Sequence, residues 1–123
     1  MANIGCVRGC SGFDRSSTVE RLCGDPTLLV EIASIYVGTA PGQLQAIGQA
    51  LAARDLAGIY NEAHSLKGST SIFEAPAAVA SIIELESAAR SGNHRDIASL
   101  ASRAEALVRD LIKHLQDPEI LET

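Results

Sequence analysis

The fold class follows most directly from residues 55–73, which read DLAGIYNEAHSLKGSTSIF. An α-helix turns by about 100° per residue, so apolar residues three or four positions apart lie on the same side of it. On that wheel His64 points about 130° away from the centre of the apolar face. The segment therefore predicts an amphipathic helix with a histidine on its open side. Its predicted buried face consists of Leu56, Ile59, Ala63, Leu66, Thr70 and Phe73.

The segments on either side repeat the helical pattern. A short helix around residues 19–22 is expected first, then one that starts at Pro26 and stops near Gly38, and another that restarts at Pro41. Two further helices follow residue 76 and residue 94, and no segment has the alternation of a strand bounded by hairpin turns. Short links imply antiparallel neighbours. The sequence predicts an all-α fold, an antiparallel up-and-down four-helix bundle over about 41–116, with one or two additional N-terminal helices.

Domain organisation follows from length and from where the periodicity begins. A chain of 123 residues is the size of one domain. Residues 1–15 carry Gly and Cys without any period, so we expect a flexible N-terminal arm there. Residues 16–117 form the predicted helical-bundle domain, and 118–123 form a C-terminal tail.

Charge and composition exclude several function classes. The chain has 10 Lys and Arg against 15 Asp and Glu, a net charge of −5, which disfavours binding to nucleic acid. No apolar run reaches the ~18 residues of a membrane span, and the N-terminus lacks the apolar stretch of a signal peptide, so we expect a cytoplasmic domain without membrane contact. Neither the cysteines nor the other histidines have metal-ligand spacing. We interpret them as free thiols and incidental imidazoles: Cys6, Cys10, Cys23, His94 and His114.

The open side of the 55–73 helix carries the chemistry. Imidazole is a nucleophile near neutral pH because its unperturbed pKa is about 6.5. Lys67, three residues after His64, can reach an anionic group attached to the ring. Gly68 costs a helix interior about 1 kcal/mol relative to Ala, and clearance for an approaching partner would offset that cost. This pattern predicts a surface histidine that receives a phosphoryl group from another protein.

These residues resemble a known family. Residues 63–69, AHSLKGS, closely resemble the A-H-x-L-K-G-S signature of histidine-containing phosphotransfer (HPt) domains. Gly24-Asp25, Asp55 and Leu85-Glu86 also lie where that family usually has such residues, so the resemblance covers roughly residues 18–116. It implies a helical bundle whose exposed histidine passes phosphoryl groups between aspartates of receiver domains in multistep phosphorelays.

The resemblance also implies residue roles. His64 is then the phospho-acceptor, Lys67 the phosphate-stabilising cation and Gly68 the position that gives the partner access. The chain departs from the family at three positions, with Ile72 for a common Asn, Glu74 for Gly and Ala78 for Leu. Glu74 takes a left-handed turn less readily than Gly, which bears on the following loop and on partner choice rather than on the acceptor.

The mechanism that the resemblance implies is in-line attack by His64 Nε2 on a receiver phosphoaspartate. The receiver should supply Mg²⁺ and most catalytic groups, so the protein needs no cofactor of its own and is a carrier without autonomous kinase activity. Rapid exchange suits a transient interface below about 1,200 Å². Residues flanking the histidine are expected to contact the receiver: Val19, Leu22, Leu44, Ile47, Tyr60, Asn61 and Ser71.

Two functions of different classes stay open at this point. One is the phosphoryl carrier; the alternative is an HPt-like binding module that docks a receiver or kinase without being phosphorylated. The domain could stand alone or be the HPt segment of a hybrid sensor histidine kinase. A monomer is expected, and the sequence does not identify the receiver, the pathway or the direction of phosphoryl flow.

Overall fold

The computed structural model describes residues 15–73, 75–92 and 94–116, and within these ranges every regular element is a helix. The all-α prediction is confirmed. Glu74, nearly all of the predicted arm and the predicted tail lie outside the described residues. The elements are α1 (Arg15–Arg21), α2 (Pro26–Ala52), α3 (Leu56–Thr70), a 3₁₀ turn (Ser71–Phe73), α4 (Pro76–Ser91) and α5 (His94–Leu115).

The four long helices form the bundle. Helix α2 packs against α3, α3 against α4, α4 against α5 and α5 back against α2, so the helices close a ring around one core. Two contacts show that α2 and α3 are antiparallel: Tyr36 hydrogen-bonds to Thr70, and Gln43 hydrogen-bonds to Ser65. Helix α1 packs against the 3₁₀ turn after α3 and is the additional N-terminal helix.

Helix α2 corrects one expectation. The sequence predicted a break between Gly38 and Pro41, but α2 runs without interruption from Pro26 to Ala52 with Pro41 inside it. A proline inside a helix costs about 3 kcal/mol because it lacks an N–H and its ring crowds the preceding turn. In the continuous helix the buried residues before and after Pro41 lie on one stripe that faces the core, and burying each large apolar side chain is worth about 1.5–3 kcal/mol. Core packing therefore outweighs the local signal.

Aspartate side chains cap the first turns of α2 and α3. Asp25 caps α2, and its carboxylate accepts hydrogen bonds from the backbone N–H groups of Thr27 and Leu28. Asp55 caps α3 by accepting from the N–H of Gly58. These carboxylates satisfy backbone donors that have no partner inside a helix, which fixes where each helix begins.

The predicted buried face of α3 is confirmed except at Leu56, which is half-buried and packs against the edge of the core. Ile59, Ala63, Leu66 and Thr70 are at most 1% exposed, and Phe73 is fully buried. The Tyr36 hydroxyl lies 2.7 Å from Thr70 Oγ1, and burial raises the pKa of Tyr36 to about 12, so this phenol stays neutral inside the core. With its apolar side packed against α2 and α4, α3 has a fixed rotation about its axis and a defined outer face.

Among the described helices, none combines the length and apolarity that crossing a bilayer would require.

Candidate functional site

His64 lies on the outer face of α3, as its position on the wheel predicted. Its side chain is 61% exposed, whereas Ala63 beside it is fully buried. Residues of α3 and α4 contact its ring. The histidine is therefore presented to solvent by a rigid helix rather than by a loop.

A carboxylate from the neighbouring helix binds the histidine ring. Glu86 of α4 is only 4% exposed, and its Oε2 lies 2.7 Å from His64 Nδ1. Its other oxygen, Oε1, accepts a hydrogen bond from Lys67 Nζ at 2.9 Å. One buried carboxylate thus joins the imidazole and the ammonium group, and it brings together two residues that the sequence predicted to act jointly.

The charge of Glu86 determines the tautomer of His64. The Lys67 hydrogen bond, supported by the bond to His64, holds the pKa of the Glu86 carboxyl below its ordinary value of 4.5. Glu86 is therefore ionised at neutral pH and can only accept hydrogen bonds. The Nδ1 atom of His64 must then be the donor, which leaves the lone pair of a neutral imidazole on Nε2.

An aromatic ring packs against the imidazole one turn earlier. The Tyr60 and His64 ring centroids are 5.9 Å apart with an interplanar angle of 18°. The Arg90 guanidinium of α4 lies 5.4 Å from the Tyr60 centroid and donates to the Tyr60 hydroxyl at 3.3 Å. Tyr60 contacts Arg90, and His64, later in α3, contacts Glu86, earlier in α4. The two helices are therefore antiparallel.

One turn later the surface is open. A Cβ added at Gly68 would meet no atom within 4 Å, so this glycine is not required for packing between helices. Ser71 hydroxyl donates to the Gly68 carbonyl at the end of the helix and does not reach the ring in the described contacts. Asn61 is exposed. The vacancy at Gly68 agrees with the clearance predicted from the sequence.

The expected docking residues divide into two groups. Leu44 and Ile47 are only 6% and 4% exposed and belong to the core, so the prediction that they contact a partner is wrong. Both side chains lie on the same buried stripe of α2 as Leu29 and Tyr36, which faces the core. Val19 and Leu22 are half-buried and pack against the edge of the core. They keep exposed area beside α1, where a partner could reach them.

Sequence reasoning assigned no role to Glu86, which it noted only as part of the family resemblance. A usable signal was present, because Glu86 is an acidic residue among positions that are otherwise small or apolar. The buried residues of α4 are Ala78, Ser81, Ile82, Leu85, Glu86, Ala88 and Ala89. A buried carboxylate on a helix face normally has a partner for its charge, and here that partner is the histidine–lysine pair.

No metal-binding cluster supplements the site. Among the described residues no group of three or more His, Cys, Asp or Glu side chains is placed to hold a metal ion. The site described here consists of an imidazole, an ammonium group, a carboxylate and the Tyr60–Arg90 pair. It can hold a proton on Nδ1, expose a nucleophilic Nε2 and place a cation beside it.

Comparison with known proteins adds one finding about the chain as a whole. The model of a protein family described as "Hpt domain" matches residues 31–118, most of the chain. No curated protein and no solved structure matches the chain significantly.

Proposed function

Because the chain belongs to the Hpt domain family, whose members transfer phosphoryl groups in phosphorelays together with receiver domains, we propose that His64 is its phosphoryl acceptor. In this proposal His64 takes the group from a receiver phosphoaspartate and passes it to another receiver aspartate. The observation that carries the proposal is the 2.7 Å contact of Nδ1 with Glu86, because it leaves the nucleophilic lone pair on the Nε2 atom of an exposed ring.

No proton moves in the proposed transfer step. The Nε2 lone pair attacks phosphorus, the N–P bond forms, and the bond between phosphorus and the aspartyl oxygen breaks to release a carboxylate. The proton stays on Nδ1, and Glu86 stabilises the positive charge that the ring gains. In the reverse step the ring leaves as neutral imidazole because Nδ1 already carries its proton. The same hydrogen bond therefore serves both loading and unloading of His64.

Lys67 stabilises the transferring group. An ammonium group has three N–H donors, and the described structure uses one of them, to Glu86. The remaining donors can bind phosphoryl oxygens as charge develops on them. The Lys67 side chain is also partly exposed, so its ammonium group can follow the phosphoryl group by a small side-chain rotation.

Gly68 gives the receiver access to the ring, since any side chain there would project into the open space that the structure shows. The Mg²⁺ needed for receiver chemistry belongs in this proposal to the receiver.

The decisive experiment follows labelled phosphate. The protein is incubated with a receiver labelled on its aspartate, and we expect a label on the domain that is labile in acid and stable in alkali. His64→Gln should remain unlabelled. His114→Gln, on α5, is the matched control and should label like the wild type. Label that persists on His64→Gln would exclude His64 as the acceptor.

A binding-only module is the alternative of a different class. It predicts that the wild-type protein binds a receiver in a titration yet acquires no label from it. The ordered Glu86–His64 contact favours the carrier, because mere docking gives no reason to hold the ring in one tautomer.

A further inference from the structure

The proposed transfer step uses His64, Glu86 and Lys67 but not the Tyr60–His64 stack. Side chains on a helix lean toward its N-terminus, so a residue covers the turn that precedes it. His64 accordingly lies over Tyr60, four residues earlier, with near-parallel rings. Tyr60 is itself held from the neighbouring helix by Arg90, which contacts both its ring and its hydroxyl.

The bond to Glu86 restrains only one atom of the imidazole. A hydrogen bond at Nδ1 fixes the distance from that nitrogen to the carboxylate, but the ring plane can still tilt about the contact. A stacked ring restrains the plane itself. The two contacts are complementary, because one acts within the plane of the imidazole and the other acts on its face.

The surroundings of the ring differ on its two sides along the helix. Toward the N-terminus of α3, Tyr60 covers it; toward the C-terminus, at Gly68, a Cβ would meet nothing within 4 Å. Of these two directions, the Gly68 side gives a partner the freer access to the ring. On that side the phosphorus must meet Nε2 in line, which requires a defined ring plane.

Building on the proposed function, we propose that Tyr60, held by Arg90, is a positioning residue that sets the ring plane of His64 for transfer. Without it the Glu86 bond still holds Nδ1, but the ring plane tilts about that bond, so that about a quarter to a half of the molecules are aligned at any time. We expect Tyr60→Leu to lower kcat for transfer about two- to fourfold on this basis, with an unchanged KM for the receiver.

Three variants separate the contributions. Tyr60→Leu removes the aromatic face, whereas Tyr60→Phe keeps the face and removes the hydroxyl that Arg90 binds. Arg90→Gln removes the cation, and Arg109→Gln on the exposed surface of α5 is its matched control. Circular dichroism melts establish that each variant is folded.

Nuclear magnetic resonance of the free protein measures the chemical shifts of the His64 ring protons, which depend on the stacked Tyr60 ring. Tyr60 should shift the His64 ring protons upfield through its ring current, and this shift should be lost in Tyr60→Leu, retained in Tyr60→Phe and reduced in Arg90→Gln. His114 protons serve as the internal control. An unchanged His64 shift in folded Tyr60→Leu overturns the proposal, and so does a raised receiver KM at constant kcat, which would make Tyr60 a docking residue. Since the ring measurement needs no partner, failure of wild-type transfer would contradict the proposed function while leaving the positioning contact measurable.

Discussion

The substitution Glu86→Gln tests the central contact of the site. It preserves the shape of the side chain but replaces one carboxylate oxygen by NH₂. Lys67 can only donate, so the amide oxygen should face Nζ, and the NH₂ group then faces His64 Nδ1. To accept from that NH₂ group, Nδ1 must lose its proton, and the proton of neutral imidazole moves to Nε2. The exposed nitrogen would then carry a hydrogen instead of a lone pair.

The expected decrease in the transfer rate follows from the hydrogen bond that must break before transfer. Restoring the reactive tautomer requires the amide to turn its oxygen away from Lys67, which forfeits a hydrogen bond to a charged group worth about 1.5–3 kcal/mol. Each 1.36 kcal/mol changes a rate about tenfold. We therefore expect Glu86→Gln to transfer phosphate about 10- to 150-fold more slowly than the wild type.

Rapid-quench initial rates with a labelled receiver measure the effect. Glu84→Gln is the matched control, because Glu84 lies on the exposed face of the same helix. Long-range ¹H–¹⁵N spectra should show the lone pair on Nε2 in the wild type and on Nδ1 in Glu86→Gln. Transfer by Glu86→Gln at the control rate, or an unchanged tautomer, would refute the reasoning.

Four further measurements follow from the structure. Lys67→Ala should remain folded with a lower melting temperature, because the buried Glu86 loses one charge partner, and should slow transfer at least several-fold, with Lys113→Ala as the control; an unaltered rate contradicts its assigned role. Gly68→Phe should remain folded and lose transfer, whereas Gly68→Ala should stabilise α3 by up to about 1 kcal/mol in urea unfolding; normal transfer by the Phe variant contradicts the access role. Pro41→Ala should stabilise the bundle by about 1–3 kcal/mol in the same assay, and no gain would mean that α2 accommodates proline without cost. Because the pKa of Glu86 is lowered in the folded protein, its carboxylate contributes stability at pH values above its ordinary pKa of 4.5. This stability is lost as the pH falls through the folded-state pKa. The urea midpoint of the wild type should therefore fall more steeply in acid than that of Glu86→Gln, and parallel curves would contradict this.

The fold class and the exposed histidine could be predicted because they depend on local pattern. Apolar spacing within residues 55–73 specifies which side of α3 is buried, and the opposite side then holds His64 and Gly68. Capping by Asp25 and Asp55 is also local, since each carboxylate binds N–H groups two or three residues away.

Two predictions were wrong, the break in α2 and the partner contacts of Leu44 and Ile47, and the role of Glu86 was missed. All three depend on contacts between helices. Pro41 reads as a helix start when only neighbouring residues are considered, but the core that α2 packs against keeps the helix continuous. Leu44 and Ile47 are covered by that same core, so they have too little exposed surface to contact a partner. Glu86 follows His64 by 22 positions, and only the packing of α4 on α3 places its carboxylate at Nδ1.

The placement of the nucleophile and its proton-holding carboxylate on separate helices couples reactivity to tertiary structure. A peptide spanning residues 55–73 contains AHSLKGS in full, yet it lacks the acidic group that selects the reactive nitrogen, and helices of that length are marginal alone in water. If His64 is the acceptor as proposed, a newly made, damaged or partly opened chain would be a poor phosphoryl acceptor even though its motif is intact. Signal would then enter only those molecules that have finished folding.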